Sequence, residues 1–116
     1  MQIECIKRPN VAVASFSGID IDSHIGHARQ LLIYGPGEDG IVRMLGTRGA
    51  PEPGGGEERW KALAEVLADC FALLASGAGP KPLTVLEDQG IDVFIAKGSI
   101  KRVLDIVFDE HNENSN

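Results

Sequence analysis

The apolar positions of this chain fall into short blocks, and the spacing inside each block predicts its secondary structure. Val11 to Ala14, followed by Ser15, run almost continuously apolar, the pattern of a strand covered on both faces. Leu31-Leu32-Ile33-Tyr34 and Ile41-Val42-Arg43-Met44-Leu45 predict two further short strands. The segment between them ends in Asp39-Gly40, a turn signal, so the two form a hairpin. Residues 49 to 56, Gly-Ala-Pro-Glu-Pro-Gly-Gly-Gly, hold no period and predict a mobile loop, either a plain linker or a flap over a ligand. Trp60, Leu63, Ala64, Leu67 and Phe71 then recur at helical spacing, with Glu57, Glu58, Lys61 and Glu65 on the other side. The two leading glutamates suit the positive end of a helix dipole. Glu57 and Lys61 stand four apart in the favourable order.

Near Asp69 the period changes. The helix is expected to stop close to Ala68, and Cys70 to Ala75 reads as a buried strand. Ser76-Gly77-Ala78-Gly79-Pro80 is a turn into a short helix through Leu83 and Leu86, closed by Gly90. Ile91 to Ile95 is the last strand. Ser99 can cap a final helix whose inner stripe is Ile100, Val103, Leu104, Val107 and Phe108. The polar residues from His111 to Asn116 are expected to fray, and His111 receives no role. The order β β β α β α β α predicts one α/β domain over residues 11–110, between an N-terminal segment 1–10 and a polar tail 111–116. Its five-stranded mixed sheet should lie between helical layers, with the first, fourth and fifth strands parallel and the first one central. This is the element order of the ribonuclease H-like architecture.

The composition narrows the choice of function. A chain of 116 residues is one domain by length and can bury a core without disulfides. The formal net charge of −6 argues against nucleic acid, whose binding needs a basic face. No apolar stretch is long enough to cross a bilayer, and no leader is visible, so no membrane partner and a cytoplasmic location are expected. Cys5 and Cys70 are the two cysteines, and a single pair in such a chain is expected to be reduced. Cys5 reads as peripheral. Cys70, at the junction of a helix and an apolar run, is a small buried hydrophobe or a ligand.

Candidate chemistry concentrates in Asp20-Ile21-Asp22-Ser23-His24-Ile25-Gly26-His27-Ala28-Arg29, which holds two of the three histidines. Imidazole is the commonest side-chain metal ligand. Two histidines at this spacing also fit a helix cap and a surface residue, and zinc motifs need two further ligands. Ligands of such sheets sit beyond the carboxyl ends of the parallel strands, which brings His24, Gly26 and His27 towards Ser76 and Gly77. Small residues there admit backbone N–H groups, and the following helix start favours an anion; simple turn geometry explains the same residues. A metal-dependent nuclease needs several carboxylates. The first strand has none, Asp20 and Asp22 lie in the loop, and Asp69 precedes the fourth strand. Nothing orients a base for cysteine–histidine acyl chemistry, and phosphate-loop and dinucleotide fingerprints are absent. Soft or borderline metal binding is left, with His24, His27 and Cys70 as candidate ligands. That set is thin for a closed zinc site. It suits a preassembled cluster that brings its own sulfides. Arg29, Arg48 and Lys81 could offset an anionic cluster, or be ordinary solvated charges.

These motifs taken together resemble the dinitrogenase iron–molybdenum cofactor biosynthesis family, which includes NifX, NifY and the C-terminal domain of NifB. The matching pieces are Val11 to Ser15, Ile21 to Ala28 with Leu32-Ile33-Tyr34, Gly54-Gly55-Gly56 with Arg59-Trp60, Leu67 to Cys70, Ser76 to Pro80, and Gly90 to Val93. They run in order over roughly residues 11 to 108. The resemblance implies a ribonuclease H-like fold without nuclease activity. It implies a non-enzymatic carrier of an iron–sulfur or iron–molybdenum–sulfur cluster, exchanging it with cluster donor and acceptor proteins. His24 carries over most securely, His27 next. Ile25 stands where relatives usually have Phe, and Pro53 where some NifB-like relatives have Cys. Without the radical enzyme domain of NifB, no synthesis of the cluster core is expected. The alternatives are a regulatory or scaffold domain that binds a protein partner, and a mononuclear copper or zinc binder.

Overall fold

The computed structural model describes residues 8–51 and 56–114. Seven strands and three helices follow one another as β1 (Asn10–Ala14), β2 (Asp20–Ile21), β3 (Gln30–Pro36), β4 (Val42–Gly49), α1 (Glu57–Val66), β5 (Cys70–Ala75), α2 (Pro80–Asp88), β6 (Asp92–Ile95), β7 (Gly98–Ser99) and α3 (Ile100–Asn114). Five strands form one mixed sheet in the order β4-β3-β1-β5-β6, and β2 pairs with β7 in a separate ribbon. The main sheet is parallel across β1, β5 and β6 and antiparallel across β1, β3 and β4. The apolar blocks account for this directly. The β1 and β5 side chains are buried throughout, as a central parallel pair requires.

Strand alternation divides the core into two layers. Ala12, Ala14, Leu31, Ile33 and Leu73 pack with Trp60, Leu63 and Leu67 around α1 and with Val85 and Leu86 of α2. Val11, Val13, Leu32, Ala72 and Leu74 face the other way, onto Ile100, Leu104, Val107 and Phe108 of α3. The α3 stripe is therefore the one its periodicity predicts, and Ser99 Oγ accepts the Arg102 N–H at 3.3 Å as its cap. No helix is long and apolar enough to cross a membrane among the described residues.

Four details depart from the sequence pattern. Phe71, which continues the helical spacing of α1, belongs to β5 and faces α3, because α1 already ends at Val66. The final helix runs through His111 to Asn114 instead of fraying. The His111 ring stacks on Phe71 at 3.7 Å between centroids, 9° from parallel, and this contact anchors the last turns. The stretch from Ser15 to Arg29 is built, not open. It contains β2, a single 3-10 turn over Ile25–His27 and buried Ile21, Ser23, Ile25 and Ala28. Residues 8–10 belong to the domain edge: Asn10 is buried and opens β1. Of the 49–56 loop, Glu52 to Gly55 lie outside the described residues, as does Cys5.

Candidate functional site

The histidine turn is welded to the carboxyl end of β5. Ser76 N–H donates to Ser23 O at 3.0 Å and Ile25 N–H to Gly77 O at 2.9 Å. His24 and Gly77 form a parallel bridge. Residues 23–25 thus extend the sheet beside 76–77 for a few residues, and the chain then tightens into the 3-10 turn. His27 N–H donates to His24 O at 2.9 Å, and the Gly26 N–H donates to His24 Nδ1 at 2.9 Å. His24 is therefore the N-cap of its own turn, a role normally taken by Ser, Thr, Asp or Asn.

Both imidazoles are exposed, with ring centroids 5.3 Å apart and planes tilted by 41°. The two neighbouring glycines make room for the first ring. A Cβ on Gly77 would come within 2.8 Å of His24 Cδ2, and one on Gly26 within 3.1 Å of Nδ1. Arg59, in the first turn of α1, donates from Nη2 to Gly26 O at 2.9 Å while its guanidinium lies over the Trp60 ring at 4.4 Å. It ties the turn to α1 and adds positive charge beside it. Beyond Ser76, a cavity of about 410 Å³ is lined by Asp20, Asp22, Ser76 and Lys97. Asp22 accepts the Phe16 N–H at 2.7 Å, and this bond, followed by Ser17, lowers its pKa.

His24, Gly26, His27, Ser76 and Gly77 are thus brought together as the sequence predicts. Cys70 and Arg48 are not. Cys70 opens β5 and Ser76 follows its last residue, a separation of about 20 Å along a strand of this length. The Cys70 side chain is fully buried; burial, then the Asp69 carboxylate, pushes its pKa up to about 12. It is a core thiol. Arg48 reaches Asp69 with two bonds, Nη1 to Oδ1 at 2.6 Å and Nη2 to Oδ2 at 2.8 Å, and also donates to Val66 O. Both residues serve the entry end of β5, away from the histidines. Arg29 and Lys81 are exposed. The α2 start offers an anion little, because Pro80 and Pro82 have no N–H to give.

Arg59 and Lys97 are the site residues that sequence reasoning misses as charges. Arg59 was legible only as part of a motif. Lys97 follows β6, and nothing local links it to Ser76. Among the described residues no group of three His, Cys, Asp or Glu side chains could hold a metal ion.

The fold and the turn define a small α/β domain that presents a pair of exposed imidazoles at the end of its central parallel strands. The family model for dinitrogenase iron–molybdenum cofactor proteins matches residues 7–109, and the chain belongs to that family. It is 42% identical over 106 residues to the FeMo cofactor biosynthesis protein NifB of Chlorobaculum tepidum, covering 90% of this chain and 25% of that protein. It is 36% identical over 91 residues to NifB of Klebsiella pneumoniae, covering 71% of this chain and 19% of that protein. The chain therefore spans a quarter or less of these relatives. Two solved structures share the fold. The crystal structure of PH0822 has a TM-score of 0.63 at 17% identity, covering 87% of this chain and 91% of that one. An NMR structure of a candidate NifB protein from Thermotoga has a TM-score of 0.56 at 20% identity, covering 87% and 88%.

Proposed function

We propose that this domain binds an iron–sulfur or iron–molybdenum–sulfur cluster as transient cargo in nitrogenase-type cofactor biosynthesis. It takes the cluster from a donor protein and yields it to an acceptor, without catalysis of its own. One observation carries the reading: two exposed imidazoles 5.3 Å apart on a turn bonded to the end of β5. Two neighbouring imidazoles suit a preassembled cluster, which arrives with its own bridging sulfides and needs few contacts from the protein. Arg59 and Lys97 supply positive charge for an anionic cargo. A mononuclear zinc or copper site has less support, since two rings leave a four-coordinate ion half-filled. We read the architecture as ribonuclease H-like on its central β1 and mixed strand order. Nuclease chemistry has no support, because Asp22 is turned to the Phe16 N–H and Asp69 to Arg48, at opposite ends of the sheet.

Anaerobic titration with a synthetic cubane-type iron–sulfur cluster, followed by its visible absorption, tests this reading. The wild-type protein should bind near one equivalent. The H24A/H27A double variant should lose on the order of ten- to hundredfold in affinity, the range seen when metal sites are disrupted. Wild-type affinity in the double variant would remove the histidine turn from the function. Iron, molybdenum, zinc and copper analysis of anaerobically purified protein separates cluster from single ion.

A further inference from the structure

The hydrogen bond that caps the histidine turn has a direction, and the direction restricts what His24 can do. A backbone N–H only donates. With the Gly26 N–H 2.9 Å from His24 Nδ1, Nδ1 is a lone-pair acceptor, and the neutral ring carries its proton on Nε2. A metal-ligating histidine has the opposite polarity: one nitrogen gives its lone pair to the metal while the other donates N–H to an acceptor. Neither nitrogen of His24 has a lone pair to spare. Turning the ring over would set Cδ2–H against the Gly26 N–H and leave that amide without its acceptor. The bare Cα atoms of Gly26 and Gly77, where a Cβ would touch the ring at 3.1 and 2.8 Å, let the imidazole sit in this one place. His27 differs. Its backbone N–H is bonded to His24 O, but among the described residues no hydrogen bond engages its ring.

We propose that the two histidines divide the work: His27 ligates iron, and His24, held as its Nε2–H tautomer by the Gly26 cap, donates a hydrogen bond to a sulfide or other anionic atom of the same cargo. The division rests on the cluster-binding reading above. It also sharpens the cargo class. A polynuclear iron–sulfur species sets electron-rich sulfide next to iron, and so satisfies a donor and a ligand on two rings whose centroids are 5.3 Å apart. A bare cation leaves the His24 N–H nothing to bind. Loading is then a ligand exchange. An iron–nitrogen bond to His27 forms, the bond from that iron to an exchangeable thiolate of the incoming cluster breaks, and the thiolate leaves with its electron pair. No electron changes hands.

Two measurements test this. Long-range proton–nitrogen correlation spectra of the labelled protein alone, in mildly alkaline buffer, report the tautomer of each ring. His24 is expected as Nε2–H, and a His24 that carries its proton on Nδ1 overturns the proposal. The second measurement is anaerobic titration of wild type, H24N and H27N with a synthetic cubane-type cluster carrying exchangeable thiolates. Asparagine at position 24 still accepts the Gly26 N–H, as a preferred N-cap residue, and its amide still donates. H24N should therefore stay within about fivefold of wild type, the scale of one altered neutral hydrogen bond. H27N should lose at least about tenfold, and with it the strong nitrogen coupling in pulsed electron paramagnetic resonance of the reduced cluster. Loss of that coupling in H24N and its survival in H27N would make His24 the ligand and sink the proposal. If the wild type takes up no cluster, the carrier reading fails with the division; the tautomer, measured without cargo, stays a separate result.

Discussion

Asp69, set in the Leu67 to Cys70 motif, serves the structure. Its carboxylate accepts from Arg48 and from Asn10 Nδ2 at 2.9 Å, and the Arg48 bonds foremost hold its pKa at about 2, against an ordinary 3.8. The folded value is depressed, so this stabilisation is complete above about pH 4 and lost as pH falls through about 2. Solvent reaches more than a third of each side chain's surface (35% and 39%), and screening trims the contribution to about 1 kcal/mol. D69N should therefore be less stable than wild type by about that much in urea at pH 7, with the gap narrowing below about pH 4 and closing below about pH 2; a gap that does not narrow in acid contradicts the assignment. Cys70 beside it should resist a thiol reagent in a C5S background until the protein is unfolded, since the thiolate is the reactive form. Rapid native labelling would show a more open β5 entry than the fully buried side chain implies. At the other end, G77A places a Cβ 2.8 Å from the His24 ring. The ring must move, at a cost of about 1–3 kcal/mol. Cluster affinity should fall although both histidines remain, and unchanged affinity and stability together would mean that the ring has freedom the packing denies.

Elements whose character is set by their own residues were legible; elements defined by a distant partner were not. β1, β5, the β3–β4 hairpin and α3 each carry a local pattern, of continuous burial, a turn or a helical stripe. β2 and β7 are two residues each and exist only because Asp20 meets Ser99 and Ile21 meets Gly98. No window of sequence contains both halves of that pairing. For the same reason residues 16–29 carry no local pattern of their own. Their alternate burial at Ile21, Ser23 and Ile25 depends on β5 and β7 being alongside. Hydrogen exchange of the cargo-free protein checks this. The amides of Ile25 and Ser76, bonded across the weld, should exchange with core-like protection, while the exposed turn at Glu38 and Asp39 exchanges fast. Fast exchange at Ile25 would mean that the turn is open in the cargo-free protein and that the weld to Ser76 and Gly77 does not hold it. On α3, Leu104 is buried against the sheet, so L104A should cost about 2–5 kcal/mol by equilibrium unfolding. A loss below that range would mean that the layer collapses around the gap.

At the scale of the whole molecule, one strand belongs to both cores: β1 sends Ala12 and Ala14 to the α1–α2 layer and Val11 and Val13 to α3. The small residues set the distance at which α1 and α2 approach the sheet. A14L adds volume where no exposed surface remains and should cost about 1–3 kcal/mol, with the expected movement in α1 and α2 rather than α3; chemical-shift changes confined to α3 would refute the layer assignment. By itself the sequence determined the α/β class, the hairpin, the parallel crossovers and the placing of His24 and His27 beside Ser76 and Gly77. Local periodicity and the right-handed crossover leave few alternatives for these. The tertiary structure alone decided which end of β5 each candidate serves. Composition says that Cys70, His24 and His27 could share a metal with Arg48 offsetting its charge; a six-residue strand puts Cys70 and Arg48 at its entry and the histidines at its exit. The ring polarity of His24 was also beyond the sequence, because it follows from a cap that forms only when the Ser23–Ile25 segment is bonded to Ser76 and Gly77. Side-chain identity proposes a ligand, and the direction of one hydrogen bond decides how that side chain can act.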